Sequence, residues 1–578
     1  MVDSVKAIQN RLTPEDEHFL KEIYAPTVVA TPYSNAAHDL CVMPDGEIRC
    51  YGGEHVDFFA RDGKPVYVYQ SSTDGGLTWK KHLHDTKKMG PGVISPYSGR
   101  YLAADCFQEI FEHKTLRMRI SEPGGNADTT EYKVVSVGDR VNFGIYRMPL
   151  ALRSVERWVL AAERDGHSVF FLSDDDGDSW RAVDIEKTDR FEVKPPHKSP
   201  RWENSGIEPS VVELNDGTLM AMLRTSTDFH YVTYSYDHGD TWTKPVPTTF
   251  HSTLTNPYLL HLQDGRTVFF YNNTTPLPEI DKTAVTPPLR DDELRGVSED
   301  VFTNRDANCV AITENDGKDW IGFRELLLNE VRNDPDFRSV CGVDSSLDKS
   351  VHQYQAIELP FGKILVHVGQ NEASRRLVIF DVNWLYEKSR FEDFHCGMGT
   401  LSTHVYLKSI TGNYRGFAGH CAWNRLSGAV MMPDPLGDTT EALFIRNIDD
   451  DRLFNGYQGA VWNFPAAKRG EVTIKIMPKG SGTLVSLLDN WMNPCDPTVQ
   501  DAAQVAYVLD GGATAWQMLT IRFDTEKGEA SVLIDGAEVV RTAVKEAPNG
   551  LCYLHIRTLE ESGDVQGTYV KTLEFEGE

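Results

Sequence analysis

The chain has no long apolar run, no paired cysteine motif and little positive charge. Its 578 residues carry 58 Lys+Arg against 85 Asp+Glu, which gives a net charge of -27. This deficit of cations argues against nucleic acid and against an anionic membrane surface as partners, although a local arginine cluster can still bind a small anion. No segment is apolar and long enough to predict a transmembrane helix.

Cysteine usage and the first residues bear on the cellular compartment. The nine cysteines are scattered singly and form no C-x-x-C pair, a distribution typical of reduced thiols. The stretch MVDSVKAIQNRLTPEDEHFLKEIY is polar, and it predicts a short helix without the apolar core of a signal peptide. Together these features predict a cytoplasmic protein. No cluster has metal-ligand spacing, so we expect no catalytic metal and no other cofactor.

One short turn motif occurs four times, and each copy follows an apolar run. Residues 72–79, 173–180 and 235–242 read S-x-D-x-G-x-[TS]-W, and 313–320 is a degenerate copy. In such a turn the Asp carboxylate accepts backbone N–H groups, the Gly supplies a positive φ, and the Trp packs into the next layer. Repetition after each strand predicts a four-stranded unit that recurs along the chain. We interpret the four boxes as structural.

The innermost strands of these units are also visible. They begin near Leu40, Val93, Pro149, Pro209, Pro257 and Tyr354. Six such strands predict an all-β, six-bladed β-propeller over residues 29–390, preceded by a helical segment at 1–28. One blade, at about 90–138, has no recognisable box. A Pro-rich insertion at 274–301 is a candidate lid or contact for a homo-oligomer.

The pattern changes after the propeller. We predict a linker at 391–415 and, over 416–578, a β-sandwich of short antiparallel strands. It is similar to the concanavalin-like jelly rolls that are attached to many carbohydrate enzymes. Sugar binding and simple packing against the propeller both remain open for this domain.

Propellers bind ligands at the axis, where the first residues of the innermost strands converge. Polar side chains occupy these positions in this sequence, and they form a predicted ring of candidate site residues. They are His38, Asp39, Tyr146, Arg147, Glu208, Asn256, Arg305, His352 and Gln353.

The four boxes resemble the Asp-boxes, or BNR repeats, of the sialidase superfamily of six-bladed propellers. The resemblance extends to E-P-x-V-V-E-L-x-D-G-x-L-x-x-x-x-R, which runs from Glu208 to Arg224. It implies that Glu208 activates the nucleophile and that Arg224 is the second arginine of a carboxylate-binding triad. Arg305 corresponds to the third. A guanidinium suits this task because its fork matches a carboxylate with two hydrogen bonds.

The sequence also departs from the sialidase pattern, so we do not expect an ordinary sialidase. Blade 1 opens without the first triad arginine, whereas a similar motif, Y-R-M-P, places Arg147 at the start of blade 3. The family's nucleophilic tyrosine aligns with Gln353, and His352 and Tyr354 flank it. The resemblance places the acid on the loop that contains Glu54 and Asp57.

Three functions follow from these residues. The first is an exo-acting glycoside hydrolase that cleaves an acidic or highly hydroxylated terminal sugar from a short oligosaccharide. Arg147, Arg224 and Arg305 would hold the sugar, with Glu208 as base and Glu54 or Asp57 as acid. The second is a lyase that eliminates at a uronate, with His38, His352 or a tyrosine as base. The third is a non-catalytic glycan-binding propeller.

Overall fold

A computed structural model of the protein describes residues 3–33, 39–52, 67–84, 91–104, 115–137, 143–164, 166–195, 197, 200–201, 204–276, 305, 307–328, 332–333, 351–369, 374–411, 422–559 and 563–578. This part of the chain is almost entirely β-structure. Among the described residues, no helix is long and apolar enough to cross a membrane.

Six antiparallel sheets correspond to the six predicted blades. In chain order, the strands are Leu40–Val42, Ile48–Tyr51, Tyr67–Ser72 and Lys80–His84 in blade 1; Val93–Ile94, Tyr101–Ala104, Thr115–Ile120 and Glu131–Ser136 in blade 2; Phe143–Ile145, Leu150–Ala151, Trp158–Arg164, His167–Ser173 and Arg181–Asp184 in blade 3; Ser205–Glu213, Leu219–Thr225, Phe229–Ser235 and Val246–His251 in blade 4; Tyr258–His261, Thr267–Asn272, Asn308–Thr313 and Ile321–Glu325 in blade 5; and Tyr354–Leu359, Lys363–Val368 and Arg376–Asp381 in blade 6.

Hydrophobic clusters join every blade to the next and close the ring. Residue pairs from successive boundaries are Cys41 with Tyr101, Leu102 with Phe171, Phe170 with Leu219, Met222 with Phe269, Phe270 with Val366, and Leu365 with Ile48. The strand Thr27–Ala30 completes blade 6 by pairing with Arg376–Asp381. Blade 6 is therefore built from both ends of the propeller segment. The predicted six-bladed propeller is confirmed.

Each box turns the chain between the last two strands of its blade. In blade 4, Asp237 accepts hydrogen bonds from the Thr241 N–H at 2.8 Å and from the hydroxyls of Thr241 and Ser235 at 2.6 and 2.8 Å. Gly239 has a φ of 98°, a left-handed conformation that favours glycine. The Trp242 ring stacks on Phe170 of blade 3, with ring centroids 4.3 Å apart. Each box thus fastens its blade to the preceding one.

The degenerate box in blade 5 keeps this geometry by exchanging donor and acceptor. Where the other boxes have a hydroxyl donating to Asp, Asn315 Nδ2 donates to the Asp319 carboxylate at 2.9 Å. Asn315 Oδ1 still accepts the Asp319 N–H at 2.9 Å. An amide therefore satisfies the same turn.

This exchange predicts how a good box responds to substitution. Asp237→Ala removes three hydrogen bonds and should lower the free energy of unfolding by about 1–3 kcal/mol. Asp237→Asn keeps an acceptor at the same place and should cost less than half as much. Urea unfolding of the two variants measures the difference. Equal losses would show that the acceptor oxygen is not what stabilises the turn.

The predicted N-terminal helix is two short helices, Ser4–Gln9 and Pro14–Glu22. Thr13 caps the second helix through a capping box with Asp16. Ile8 and Leu20 pack into the cluster between blades 1 and 6. The helices therefore cover one end of the seam where the ring closes.

The C-terminal domain is the predicted sandwich, built from sheets of eight and five strands. The larger sheet contains Ser389–Glu392, Val430–Pro433, Glu441–Ile445, Arg469–Pro478, Gln517–Asp524, Glu529–Ile534, Ala537–Ala543 and Thr568–Gly577, and the smaller contains Leu401–Ser402, Gly459–Ala467, Gly482–Leu488, Val505–Asp510 and Leu551–Thr558. One core fills the space between them, and Trp462, Phe464 and Phe575 are among its largest members. Outside its two sheets, the C-terminal domain also has the hairpin Val405–Thr411 with Ala422–Leu426 and the helix Val499–Ala502. The propeller segment has the 3₁₀ helices Ala127–Thr129, Pro360–Gly362 and Val382–Tyr386.

Of the segment predicted as a linker, 391–415, residues 391–411 are described, and they contribute strands to the sandwich instead. Ser389–Glu392 pairs with Thr568–Gly577, and Leu401–Ser402 pairs with Gly459–Ala467. The strands are short and lack clear alternation, so the sequence pattern did not reveal them.

The sandwich packs directly on blade 5. Asn463 Nδ2 donates to the carbonyls of Phe323 and Cys552 at 3.0 and 3.1 Å, and its Oδ1 accepts the Glu325 N–H at 3.0 Å. A hydrophobic cluster shared by blades 4 and 5 also includes Trp491 of the sandwich. The two domains therefore share a continuous core.

Candidate functional site

Polar side chains meet at the end of the propeller where the innermost strands begin. In each blade the innermost strand pairs antiparallel with the strand that follows it, so the start of the innermost strand lies beside the end of its neighbour; in blade 3 the innermost strand is interrupted, and Phe143–Ile145 and Leu150–Ala151 both pair with Trp158–Arg164. Glu208 and Arg224 occupy these two places in blade 4, and Tyr146 and Glu163 occupy the corresponding places in blade 3. The hairpins thus bring residues about sixteen positions apart in sequence into contact.

Glu208 and Arg224 form a buried ion pair. Arg224 Nη1 donates to Glu208 Oε1 at 2.6 Å, and the side chains are 8% and 10% exposed. Glu208 has a φ of 45° and lies where the strand register shifts between Ile207 and Ser210. Such a bulge redirects a side chain, and left-handed backbone at a non-glycine residue is strained. Among the described residues, Glu208 Oε2 and Arg224 Nε have no hydrogen-bond partner, which leaves both groups able to bind a ligand.

Tyr146 and Glu163 form a second, half-buried pair beside the first. The Tyr146 hydroxyl donates to Glu163 Oε1 at 3.0 Å. Burial, followed by the nearby Glu208 charge, raises the pKa of Glu163 to about 7. Burial and the same two carboxylates also raise the pKa of Tyr146. Near neutral pH, Glu163 is thus poised between accepting and holding a proton.

The raised pKa of Glu163 predicts a pH-dependent stability. The folded group keeps its proton to about pH 7, whereas the unfolded group loses it near 4.5. Because the native state binds more protons between these values, Glu163 reduces stability as pH rises through this window. At 1.4 kcal/mol per pKa unit, Glu163→Gln should be as stable as wild type near pH 4 and more stable by up to about 3 kcal/mol above pH 8. Denaturant unfolding across this range measures the crossover.

Glu358 provides a matched control at the opposite end of a blade 6 strand. Burial raises its pKa to about 7 as well, so Glu358→Gln should give a stability crossover of the same sign. Stability curves of wild type and Glu163→Gln that run parallel at all pH values would contradict the assignment of a raised pKa to Glu163.

The other two predicted arginines lie at the same end. Arg147 reaches from blade 3 to blade 5, where Nη2 donates to the Pro257 carbonyl at 2.7 Å and the guanidinium stacks on the Tyr258 ring. Arg305 donates to the Leu254 carbonyl at 2.5 Å and to His352 Nε2 at 3.2 Å. Because arginine can only donate, His352 accepts at Nε2 and is the neutral Nδ1–H tautomer.

Asn256 and Gln353 continue this series of contacts into blade 6. Asn256 Nδ2 donates to Gln353 Oε1, and Gln353 has a φ of 67°. Asn256 Oδ1 is buried and has no hydrogen-bond partner among the described residues. Strained backbone therefore occurs at two of the predicted ring positions, which favours a functional role for this end of the propeller.

Tyr354 does not join the ring, which corrects its prediction as a catalytic candidate. Its side chain is fully buried in the core between blades 5 and 6, and its hydroxyl donates to Asn272 Oδ1 at 2.9 Å. Strand alternation turns Tyr354 away from the face that Gln353 occupies.

Asp39 lies at the predicted end of blade 1, and its carboxylate is hydrogen-bonded to two other side chains of the protein. Its carboxylate accepts from His367 Nδ1 at 2.7 Å and from the Cys50 thiol at 3.5 Å. His38, Glu54 and Asp57 lie outside the described residues, so their predicted roles stay predictions.

Glu163 and His367 are site residues that sequence reasoning missed. Each is the next-to-last residue of the strand that pairs with the innermost strand of its blade, as Arg224 is. A search for polar residues at that position would have found them. Tyr146 was predicted to lie at the axis, but its pairing with a carboxylate was not.

A family model of the BNR repeat-like domain matches residues 143–333. This segment is therefore similar to a BNR repeat-like domain. The matched segment spans blades 3 to 5 and includes Tyr146, Glu163, Glu208, Arg224 and Arg305. The resemblance to the sialidase superfamily is confirmed at the level of this repeat.

Solved structures similar to the chain include several sialidases. A Trypanosoma rangeli sialidase in complex with 2,3-difluorosialic acid is 12% identical, with 96% of this chain and 91% of that chain covered and a TM-score of 0.35. The intramolecular trans-sialidase from Ruminococcus gnavus is 12% identical, with 62% and 97% covered and a TM-score of 0.36. A Dyadobacter fermentans protein of unknown function is 16% identical, with 62% and 97% covered and a TM-score of 0.39. No curated protein matches the chain.

Proposed function

We propose that the protein is an exo-acting glycoside hydrolase that cleaves an acidic or highly hydroxylated terminal sugar from a short oligosaccharide. The observation that carries this proposal is the Tyr146–Glu163 hydrogen bond, 3.0 Å long, beside the buried Glu208–Arg224 pair. A phenol whose proton faces a half-buried carboxylate, as here, can become a nucleophile without carrying a permanent charge.

Tyr146 would attack the anomeric carbon while Glu163 takes its proton. In some glycoside hydrolases a tyrosine replaces the usual carboxylate nucleophile. A neutral phenol is not repelled by a carboxylate on the substrate, whereas a carboxylate nucleophile would be. Glu208 would hold Arg224 in place rather than act as the base itself. Glu54 or Asp57 remains the predicted acid that protonates the leaving oxygen.

The three buried arginines would bind the sugar. Arg147, Arg224 and Arg305 come from blades 3, 4 and 5 and lie at one end of the ring. Guanidinium groups from separate blades suit a carboxylate or several adjacent hydroxyls, since each can donate two parallel hydrogen bonds.

The lyase alternative receives less support from the geometry. His352 accepts a hydrogen bond from Arg305 at Nε2, so it would have to leave this contact before it could take a proton. A tyrosine could serve as the base instead, and the products distinguish the two reactions.

The test is incubation with sialyl, uronosyl and neutral oligosaccharides, followed by mass and ultraviolet absorbance. A hydrolase gives products that together gain one water and no new absorbance. Glu163→Gln, which removes the proposed base, should lower activity by at least about 100-fold, whereas Glu358→Gln, whose side chain lies at the opposite end of its strand, should retain it. Cleavage without a gain in mass and with new absorbance would show that the protein is a lyase and not a hydrolase. Binding without turnover would support the glycan-binding propeller instead.

A further inference from the structure

A cavity of about 680 Å³ lies where blades 4 and 5 meet the sandwich. Its lining comes from blade 4, from the box of blade 5, from the connection after blade 6 and from the sandwich. One residue from each is Tyr234, Trp320, Leu385 and Ala467. Binding pockets for small ligands typically have volumes of about 300–1,000 Å³ and occur preferentially at domain interfaces. The cavity therefore has the size and the position of a ligand site.

This cavity is separate from the candidate site at the axis. In blade 4, Leu219 at the start of the second strand pairs with Ser235, where the box begins. Arg224 lies near the other end of the same strand, so the boxes and the axial site are at opposite ends of the blades. Among the described lining residues, none belongs to the Tyr146–Glu163 or Glu208–Arg224 pair. An inference about the cavity therefore does not depend on the proposed function.

Aromatic side chains line the cavity and continue beside it. The Trp320 ring packs edge-to-face on Phe250, with ring centroids 5.2 Å apart, and its indole N–H donates to the Gly317 carbonyl at 3.1 Å. Trp320 and Tyr234 are both only partly buried. Tyr236 is 73% exposed, and its ring is nearly parallel to that of Tyr234, with centroids 6.5 Å apart. Aromatic surface is therefore available to a ligand in the cavity and at its edge.

Charged side chains of both signs surround this aromatic surface. An anionic ligand would meet three carboxylates, and a cationic ligand would meet three ammonium groups. A neutral hydroxyl group can accept from an ammonium and donate to a carboxylate at the same time. The mixture of charges therefore favours an uncharged ligand with several hydroxyl groups. The charged lining residues are Lys318, Asp319, Glu387, Lys388, Lys468 and Glu578.

The cavity is preformed, and its lysines can donate. Asn549 Nδ2 of the sandwich donates to the Thr249 carbonyl of blade 4 at 2.9 Å, and the Thr249 hydroxyl donates to Asn549 Oδ1 at 3.1 Å. Both residues line the cavity, so these bonds hold two of its walls together. A preformed site costs less ordering on binding. In the described part of the chain, the ammonium groups of Lys318, Lys388 and Lys468 form no ion pair and no hydrogen bond.

We propose that this cavity binds a neutral sugar unit of an oligosaccharide. Trp320 and Tyr234 contact the C–H groups of the sugar ring, since the face of an aromatic ring is electron-rich. The surrounding lysines and carboxylates bond the hydroxyl groups. Blades 4 and 5 and the sandwich each supply part of the lining, so the site requires both domains. The sandwich thus contributes to sugar binding through its junction with the propeller.

Saturation-transfer NMR on the full chain tests the site with four neutral disaccharides: lactose, maltose, cellobiose and N,N′-diacetylchitobiose. At least one of them should receive saturation, most strongly at its ring C–H groups. Trp320→Ala should weaken its affinity by about tenfold or more. The double variant Lys318→Ala/Lys468→Ala changes only exposed side chains and should weaken the affinity similarly. Hydrogen-exchange mass spectrometry with the bound disaccharide should show slower exchange at 317–322 and 466–468.

Trp79→Ala is the matched control for the loss of a box tryptophan. Trp79 occupies the same place in the blade 1 box, where its indole N–H donates to the Gly76 carbonyl at 2.9 Å, and it does not line the cavity. This variant should bind the disaccharide as wild type does. Wild-type protein that transfers saturation to none of the four disaccharides would overturn the proposal, and this result requires no variant to fold. Affinity that persists in both cavity variants would overturn it too, because the sugar would then bind elsewhere.

Discussion

Tyr146→Phe should lower kcat by about 10³-fold on whichever oligosaccharide the wild-type protein cleaves. The substitution removes the hydroxyl that donates to Glu163 Oε1 at 3.0 Å and leaves the ring in place. If that hydroxyl is the nucleophile, its loss acts on the chemical step, so KM should change little. Steady-state kinetics on the substrate found by the oligosaccharide panel measures both constants.

Tyr354→Phe is the matched control for this experiment. Both residues are tyrosines whose hydroxyls donate to a side-chain oxygen, but Tyr354 is fully buried in the core and bonds Asn272. Its loss should cost about 1 kcal/mol of stability and leave kcat within about twofold of wild type. The reverse outcome, with an inactive Tyr354→Phe and an active Tyr146→Phe, would return the nucleophile to blade 6 and contradict the proposed site.

The fold could be predicted because its signals are local and repeated. A box needs only eight residues, and its hydroxyl, carboxylate, glycine and tryptophan each satisfy a contact within the turn or with the preceding blade. Four such turns and six innermost strands predict six blades. The linker was mispredicted because Leu401–Ser402 is a two-residue strand that depends on partners distant in sequence.

The site was only partly predictable because its pairs join different strands. Glu208 and Arg224 were found together, since one hairpin holds both and the resemblance covers them. Glu163 was missed because a glutamate at a strand end is ordinary in sequence, and its raised pKa comes from burial and from Glu208. The contact of His367 with Asp39 joins residues 328 positions apart, and only ring closure brings them together.

The second large effect concerns the junction of the two domains. Arg332 donates to both oxygens of Glu325 at 3.2 Å, and the two side chains are 4% and 3% exposed. The Tyr553 hydroxyl of the sandwich also donates to Glu325 at 3.1 Å. This ion pair therefore lies where blade 5 meets the sandwich.

Arg332→Met should lower the free energy of unfolding by about 3–5 kcal/mol, because it leaves the Glu325 carboxylate buried without its cation. Urea unfolding measures the loss, and limited proteolysis should show faster cleavage between the domains. The double variant Arg332→Met/Glu325→Gln should recover most of the loss, because it removes both charges. Arg11→Met breaks the more exposed pair with Asp45 and should cost at most about 1 kcal/mol. A double variant as unstable as the single one would show that the packing of Arg332, rather than the buried charge of Glu325, holds the junction together.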